Sequence, residues 1–194
     1  MTMTVEPHVE RALTRGAAAR RFAATNAVAE RFFRENADAI ARACQAMAGR
    51  FQRGGRLFVC GDGAQRSDVA HVVVEFVHPI VVGKRALATL PLPDMQGGAA
   101  QRALATLGRK GDMLMLLSAH TPNESANAML ATARAQGMLV IALSGADTGS
   151  GAIADHTFVV PSLDACIVQE THEMLYHVLW ELVHVFFEHR AVSP

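Results

Sequence analysis

The sequence is poor in aromatics and has no charge imbalance. Phe, Trp and Tyr make up 6% of 194 residues, and 18 Lys and Arg stand against 18 Asp and Glu, a formal net charge of +0. Without a basic excess or a Lys/Arg run there is no electrostatic footprint for nucleic acid, and no such partner is expected. No stretch offers the roughly 18 uninterrupted apolar residues that a membrane span needs, so no membrane partner is expected either. The opening stretch MTMTVEPHVERALTRG carries charges where a secretory leader would need its apolar centre. Cys44, Cys60 and Cys166 lie far apart and form no CxxC pair, which excludes a cysteine metal site. Cys44 and Cys60 read as buried thiols, and a reducing, cytoplasmic setting is expected. What remains is a chain that is 51% hydrophobic, enough for one domain with a substantial core.

That apolar content is patterned. Residues 1 to about 8 read as a loose tail, and Glu10 to Gln52 is Ala- and Arg-rich with helical spacing. Two stripes, Phe22-Asn26-Ala29-Phe33 and Ile40-Cys44-Met47-Phe51, predict a pair of amphipathic helices that break near Asn36-Ala37-Asp38. Helices placed ahead of an α/β core often serve as an oligomer interface, and residues 1–53 are read as such a segment. From residue 54 to 194 apolar strands alternate with amphipathic helices. Strands are predicted at Leu57–Cys60, Ala86–Leu90, Met113–Ser118, Leu139–Ser144 and Thr157–Val160. Helices are predicted at Ser67–Val77, Ala99–Leu107, Ser125–Gln136 and roughly Asp164–His189. Continuous apolar strands of this kind are buried on both faces, so the fold class is α/β: a three-layer sandwich around a central parallel sheet.

In such a sheet, ligands bind beyond the carboxyl ends of the strands, where loops open onto helix N-termini. Two loops qualify. The first holds Gly61, Asp62, Gly63, Ala64 and Gln65; the second holds Ser118, Ala119, His120, Thr121, Asn123 and Ser125. Unpaired backbone N–H groups and the helix dipole could hold a phosphate at each, although Gly- and Ser-rich strand ends are also common simply as turns. A dinucleotide reading fits poorly. Gly61-Asp62-Gly63 begins a G-x-G-x-x-G pattern, but Arg66 stands at its last position.

Polar pairs follow on the helices. His71 and Glu75 are four residues apart and share a face, where they could hold a metal ion or a proton. On the terminal helix Gln169, Glu173 and His177 form a ridge at i, i+4, i+8 beside a long apolar face. Any one of these histidines alone is better explained as a solvated or interface residue. Together they supply imidazole, carboxylate and amide groups suited to a divalent ion such as zinc.

At these residues the chain resembles the sugar isomerase (SIS) domain family, and more narrowly the bacterial phosphoheptose isomerases. The resemblance runs through GGRLFVCGDGAQRSDVAHVVVEFV, GDMLMLLSAHTPNESANAMLATARAQGMLVIALSG, ADHTFVVPS and IVQETHEMLYHVLWELVH. It implies a divalent metal, zinc, held at His71, Glu75, Gln169 and His177. It also implies Glu75 and His177 as the groups that exchange protons with the sugar. A homotetramer with sites at subunit interfaces is implied as well, acting on a sugar or sugar phosphate. Gln169 and His177 lie about 12 Å apart along a helix that rises ~1.5 Å per residue. Either the helix is irregular near Gln169, or ligands come from more than one subunit, or one ligand binds weakly.

The departures from the family concern phosphate and sugar rather than metal. The first loop reads GDGAQ where the family has a sequence like GNGGS. The second loop carries Pro122 and Glu124 where the family has a sequence like STSGNS, and Asp94-Met95-Gln96-Gly97-Gly98 replaces a sugar-contacting stretch. Three functions follow as expectations: an isomerase with altered substrate, a non-catalytic tetramer that binds a protein partner in the manner of the relative that associates with the replication-initiator ATPase, and a sugar-phosphate sensor.

Overall fold

The computed structural model describes residues 7–61, 63–79, 81–120, 122–146 and 154–191. Five parallel strands, β1 (Leu57–Gly61), β2 (Thr89–Pro91), β3 (Met113–Leu117), β4 (Leu139–Gly145) and β5 (His156–Val160), form one sheet in the order β2-β1-β3-β4-β5. Every residue of β1, β3 and β4 is buried, as their unbroken apolar runs require. The edges differ. β2 is three residues long and ends in Pro91, a residue tolerated where one side of a strand is unpaired. β5 is only partly buried.

Successive side chains of a strand point to opposite faces, and each face has its own helices. Leu57, Val59, Met115 and Ile141 meet α1 (Pro7–Gln52), α2 (Arg66–Val77) and α5 (Ala165–Ala191). Phe58, Cys60, Leu114 and Val140 meet α3 (Ala99–Leu107) and α4 (Glu124–Ala135). The result is the expected three-layer arrangement. The strand limits shift slightly from expectation: β2 begins at Thr89 rather than Ala86, and α4 begins at Glu124 because Asn123 caps it, its Oδ1 accepting from Ala126 N at 2.9 Å.

The expected pair of N-terminal helices is instead one helix of 46 residues. The predicted break lacks glycine and proline. Asn36 stays inside the helix by donating its amide to the carbonyl of Phe32 at 2.9 Å, four residues back, and Asp38 lies exposed. The core stripe also starts later than expected. Phe32, Ile40, Cys44, Met47 and Phe51 are buried, whereas Phe22 is 69% exposed. Cys44 is fully enclosed, and burial pushes its thiol up to about 12, which leaves it an inert hydrophobe.

A polar clamp fixes the starts of β1 and β3. Asp112, just before β3, accepts from Arg56 N at 2.8 Å, from Arg56 Nη2 at 2.7 Å and from Arg109 N at 3.0 Å. Burial pushes its carboxyl up, but the Arg56 guanidinium and the backbone amides outweigh that and hold it below the ordinary value. The order β2-β1-β3 then puts the switch point between β1 and β3, the crevice where ligands of open α/β sheets collect. No helix among the described residues is long and apolar enough to cross a membrane.

Candidate metal site and sugar pocket

The site is assembled on α2 and α5. Val69, Val72 and Phe76 anchor one face of α2 in the core, which leaves His71 and Glu75 on the adjoining face. Val168, Leu175, Leu179 and Val183 do the same for α5. Successive turns of the two helices meet: Gln169 reaches Ser67 and Asp68, His172 reaches Gln65, and Tyr176 and His177 reach His71.

Three donors converge there. Nε2 of His177 lies 3.3 Å from Nε2 of His71, and Oε1 of Glu75 lies 3.5 Å from the same nitrogen. One ligand atom from each residue falls within 4.8 Å of the other two. Around a tetrahedral zinc with bonds of ~2.0–2.1 Å, neighbouring donors stand about 3.3 Å apart, so this spacing fits such an ion. The other nitrogen of His71 has its own partners, the Tyr176 hydroxyl at 2.8 Å and a Glu173 carboxylate oxygen at 3.6 Å. Partners of that kind fix ring tautomer and orientation at metal sites. Tyr176 is fully enclosed; burial, followed by the charges of Asp68, Glu173 and Glu75, raises its phenol above the ordinary value. Asp68, Glu173 and Glu75 thus stand around the cluster, an acidic setting that favours a cation.

Gln169, the fourth expected ligand, directs its amide nitrogen to Asp68 Oδ1 at 3.0 Å and Ser67 Oγ at 3.3 Å. Of the three alternatives for Gln169, the irregular helix is the one not seen: α5 is unbroken from Ala165 to Ala191, its buried apolar stripe running straight through this region. A cavity of about 300 Å³ opens at the cluster, lined by His71, Glu75, Val81, His177, Trp180 and Glu181. On the other side of His177 a groove of about 580 Å³ separates α1 from α5 and includes Arg21, Phe22, Glu173 and Met174.

The two loops are less uniform than the sequence implies. Gly61 ends β1 buried, while Gly63 and Ala64 are exposed in a short 3-10 turn. Gln65 is 1% exposed and turns inward to His172. In the second loop Ser118 is buried, Ala119 partly so, and His120 exposed. Asn123 spends its side-chain oxygen on the cap of α4. Ser125 lines a separate cavity of about 210 Å³ with Met95, Gly98 and Gln101, on the α3 side. Asp62 and Thr121 lie outside the described residues.

Sequence reasoning missed Asp68, Tyr176 and the pair formed by Gln65 and His172. Asp68 precedes His71 by three residues and so shares its face, a legible signal. Tyr176 carried none, since it lies beside the apolar side of α5; His172 is visible among the polar residues of that helix, but nothing local pairs it with Gln65. His172 is fully buried, its Nδ1 3.2 Å from Gln65 Oε1 and its Nε2 3.4 Å from the carbonyl of Ser144. Burial lowers its pKa to about 4, against the raising effect of the Ser144 carbonyl. The ring is therefore neutral at pH 7, with Nε2–H donating to Ser144. Its Nδ1 then accepts, which calls for the amide nitrogen of Gln65, a buried atom that otherwise has no partner among the described residues.

This buried ring makes stability depend on pH. The unfolded ring titrates near ~6.5 and the folded ring lower, so the unfolded chain takes up the proton first. Stability is complete above about pH 6.5 and is expected to fall by about 3 kcal/mol as pH drops toward 4. Urea midpoints measured across this window should flatten in His172→Gln; an unchanged slope in that variant would show that other groups are responsible.

Residues 22–145 match the SIS domain family. The phosphoheptose isomerase of Desulfovibrio desulfuricans is 31% identical over 180 residues, covering 85% of this chain and 86% of that protein. The phosphoheptose isomerase of Pelodictyon phaeoclathratiforme is 33% identical over 170 residues, covering 79% and 81%. Among solved structures, a phosphoheptose isomerase from Francisella tularensis superposes with a TM-score of 0.76 at 21% identity, over 88% of this chain and 98% of that one. The phosphoheptose isomerase of Neisseria gonorrhoeae gives 0.75 at 21% identity, over 88% and 99%. These two structures share the fold: a five-stranded parallel sheet between helical layers. With the family match spanning most of the sheet and relatives above 30% identity covering most of its length, the chain belongs to the SIS domain family as a phosphoheptose-isomerase-like member.

Proposed function

We propose that this protein is a metal-dependent aldose–ketose isomerase acting on a sugar phosphate or a related sugar. The observation that carries this reading is the convergence of His71, Glu75 and His177 beside a cavity of about 300 Å³. Relatives named phosphoheptose isomerase support the same reaction class. In this reading the cation is zinc, held by His71, Glu75 and His177 with Gln169 as a fourth ligand. When bound it supplies Lewis-acid polarisation of the sugar oxygens.

The chain's own groups carry the protons. Moving a carbonyl between C1 and C2 requires a base to take a proton from carbon and an acid to protonate oxygen. Glu75, whose side chain is 16% exposed, is the base; His177, which lines the same cavity, gives and takes the oxygen-bound proton. Tyr176 and Glu173 hold the His71 ring in place. In our reading the N-terminal segment, residues 1–53, mediates assembly into a cytoplasmic homotetramer whose sites lie at subunit interfaces. The exposed Phe22 and the open groove beside His177 support that arrangement.

The phosphate grip is where the substrate departs from the family. Gln65 is committed to His172 and Asn123 to a helix cap, so neither side chain is free to hold phosphate. This favours a smaller or unphosphorylated sugar. The same observation is what a non-catalytic SIS tetramer that binds a protein partner would have, whereas a sugar-phosphate sensor would need the phosphate grip that is weakened here. Metal analysis of the purified protein, with an isomerisation assay on sedoheptulose 7-phosphate and shorter ketoses before and after chelation, separates the readings. We expect about one zinc per chain and turnover that chelation removes and zinc restores. A metal-free protein that turns over none of these sugars would leave the non-catalytic reading.

A further inference from the structure

Asp68 is the carboxylate beside the cluster that the proposed mechanism leaves without a task. It is 5% exposed, and burial pushes its carboxyl above the ordinary value while the hydrogen bond from Gln169 opposes that. Its Oδ2 is enclosed with no hydrogen-bond partner among the described residues. An enclosed carboxylate with an open valence is costly to keep, so its one strong contact calls for an explanation.

That contact fixes an orientation. Asp68 Oδ1 accepts from Gln169 Nε2 at 3.0 Å, and Ser67 Oγ stands 3.3 Å from the same nitrogen. Ser67 donates its own proton to the carbonyl of Ala64 at 2.9 Å, so toward Gln169 it can only accept. A carboxylate likewise only accepts. With acceptors on both sides, this end of the amide must be the NH2 group, and Oε1 becomes its free end. Among the described residues no donor reaches that oxygen. An amide binds a cation through its carbonyl oxygen, whereas its NH2 offers only N–H donors.

We propose that Asp68 is a positioning residue that holds the Gln169 amide by its nitrogen, leaving Oε1 as the end available to a cation at His71, Glu75 and His177. The inference rests on the metal-site reading above. It explains why a buried acid sits on the first turn of α2 and why Gln169 reaches α2 rather than solvent.

The test is zinc affinity, measured on the full chain after stripping, by competition with a chromophoric chelator. Asp68→Ala and Gln169→Ala should each weaken zinc binding about 10–100-fold. The double variant should be no weaker than Gln169→Ala alone, since Asp68 acts through Gln169. Asp68→Asn, which keeps an oxygen acceptor, should recover most of the affinity. Asp68→Ser, which withdraws the acceptor from Gln169, serves with the same expected loss where Asp68→Ala does not fold. Unchanged affinity in Asp68→Ala, or losses that add in the double variant, would overturn the proposal. His71→Ala separates the two levels. If it loses zinc while Asp68→Ala keeps it, only the positioning role falls; if wild type binds no tighter than His71→Ala, the metal site falls and this role with it.

Discussion

Glu75→Gln is expected to lower kcat for isomerisation by about 10²–10⁴-fold, with KM changed by only a few-fold. The substitution keeps the size of the side chain and an oxygen that can still face a cation. It removes the one thing a base needs, a carboxylate able to take a proton from carbon. Glu75 is suited to that task by its place: it is one helical turn after His71, 3.5 Å from its Nε2, on the wall of the cavity. Because the amide retains an oxygen donor, zinc should still bind Glu75→Gln, less tightly than wild type but far better than His71→Ala. Steady-state kinetics at saturating zinc, paired with metal content, separate the two roles. A variant that keeps its zinc and loses less than about tenfold in kcat would remove Glu75 from the proton transfer. The His177→Gln variant provides the complementary measurement, since its group acts at oxygen.

The pairing of His71 with Glu75 could be read from sequence because helical geometry alone puts residues four apart on one face. The joining of that pair to His177 could not, since nothing local says that α2 and α5 lie side by side; it came from family resemblance. The fold was legible for a similar local reason. The runs Leu57–Cys60, Met113–Leu117 and Leu139–Gly145 are too apolar for anything but buried strands, and their burial is complete. Two readings failed where a side chain had an unanticipated local use. Asn36 was expected to end a helix, but its amide finds Phe32 O within the helix and the helix continues. Gln65 was expected to face a ligand, but a buried imidazole more than a hundred residues away takes it inward. A polar residue in a loop announces its chemistry in sequence, but its direction is set by partners that only the fold supplies.

The second large effect is expected at Gly145, the last residue of β4, and it links strand packing to the crevice. A Cβ there would lie 2.1 Å from the carbonyl oxygen of Ala119 and 3.0 Å from Val168 Cγ2. The first contact is with backbone, in the loop that follows β3, and cannot be relieved by turning a side chain. Gly145 is also held from the other side by its pairing with Val160 on β5. Gly145→Ala must therefore push the Ala119 loop outward or pull β4 from its neighbours, and a loss of more than about 4 kcal/mol is expected, read as a large fall in the urea midpoint. Gly63 provides the control. Its φ of +51° is unfavourable for alanine, but a Cβ there meets nothing within 4 Å. Gly63→Ala should cost only the left-handed conformation, about 1–2 kcal/mol. If the two substitutions destabilise equally, close approach is not what holds Gly145. Should Gly145→Ala fold, its displaced strain has two nearby outlets, the loop of Ser118, Ala119 and His120 and, through Val168, the start of α5. Sugar affinity should then weaken where the loop yields, and zinc affinity should fall as well where Val168 shifts the turn of α5 that carries Gln169.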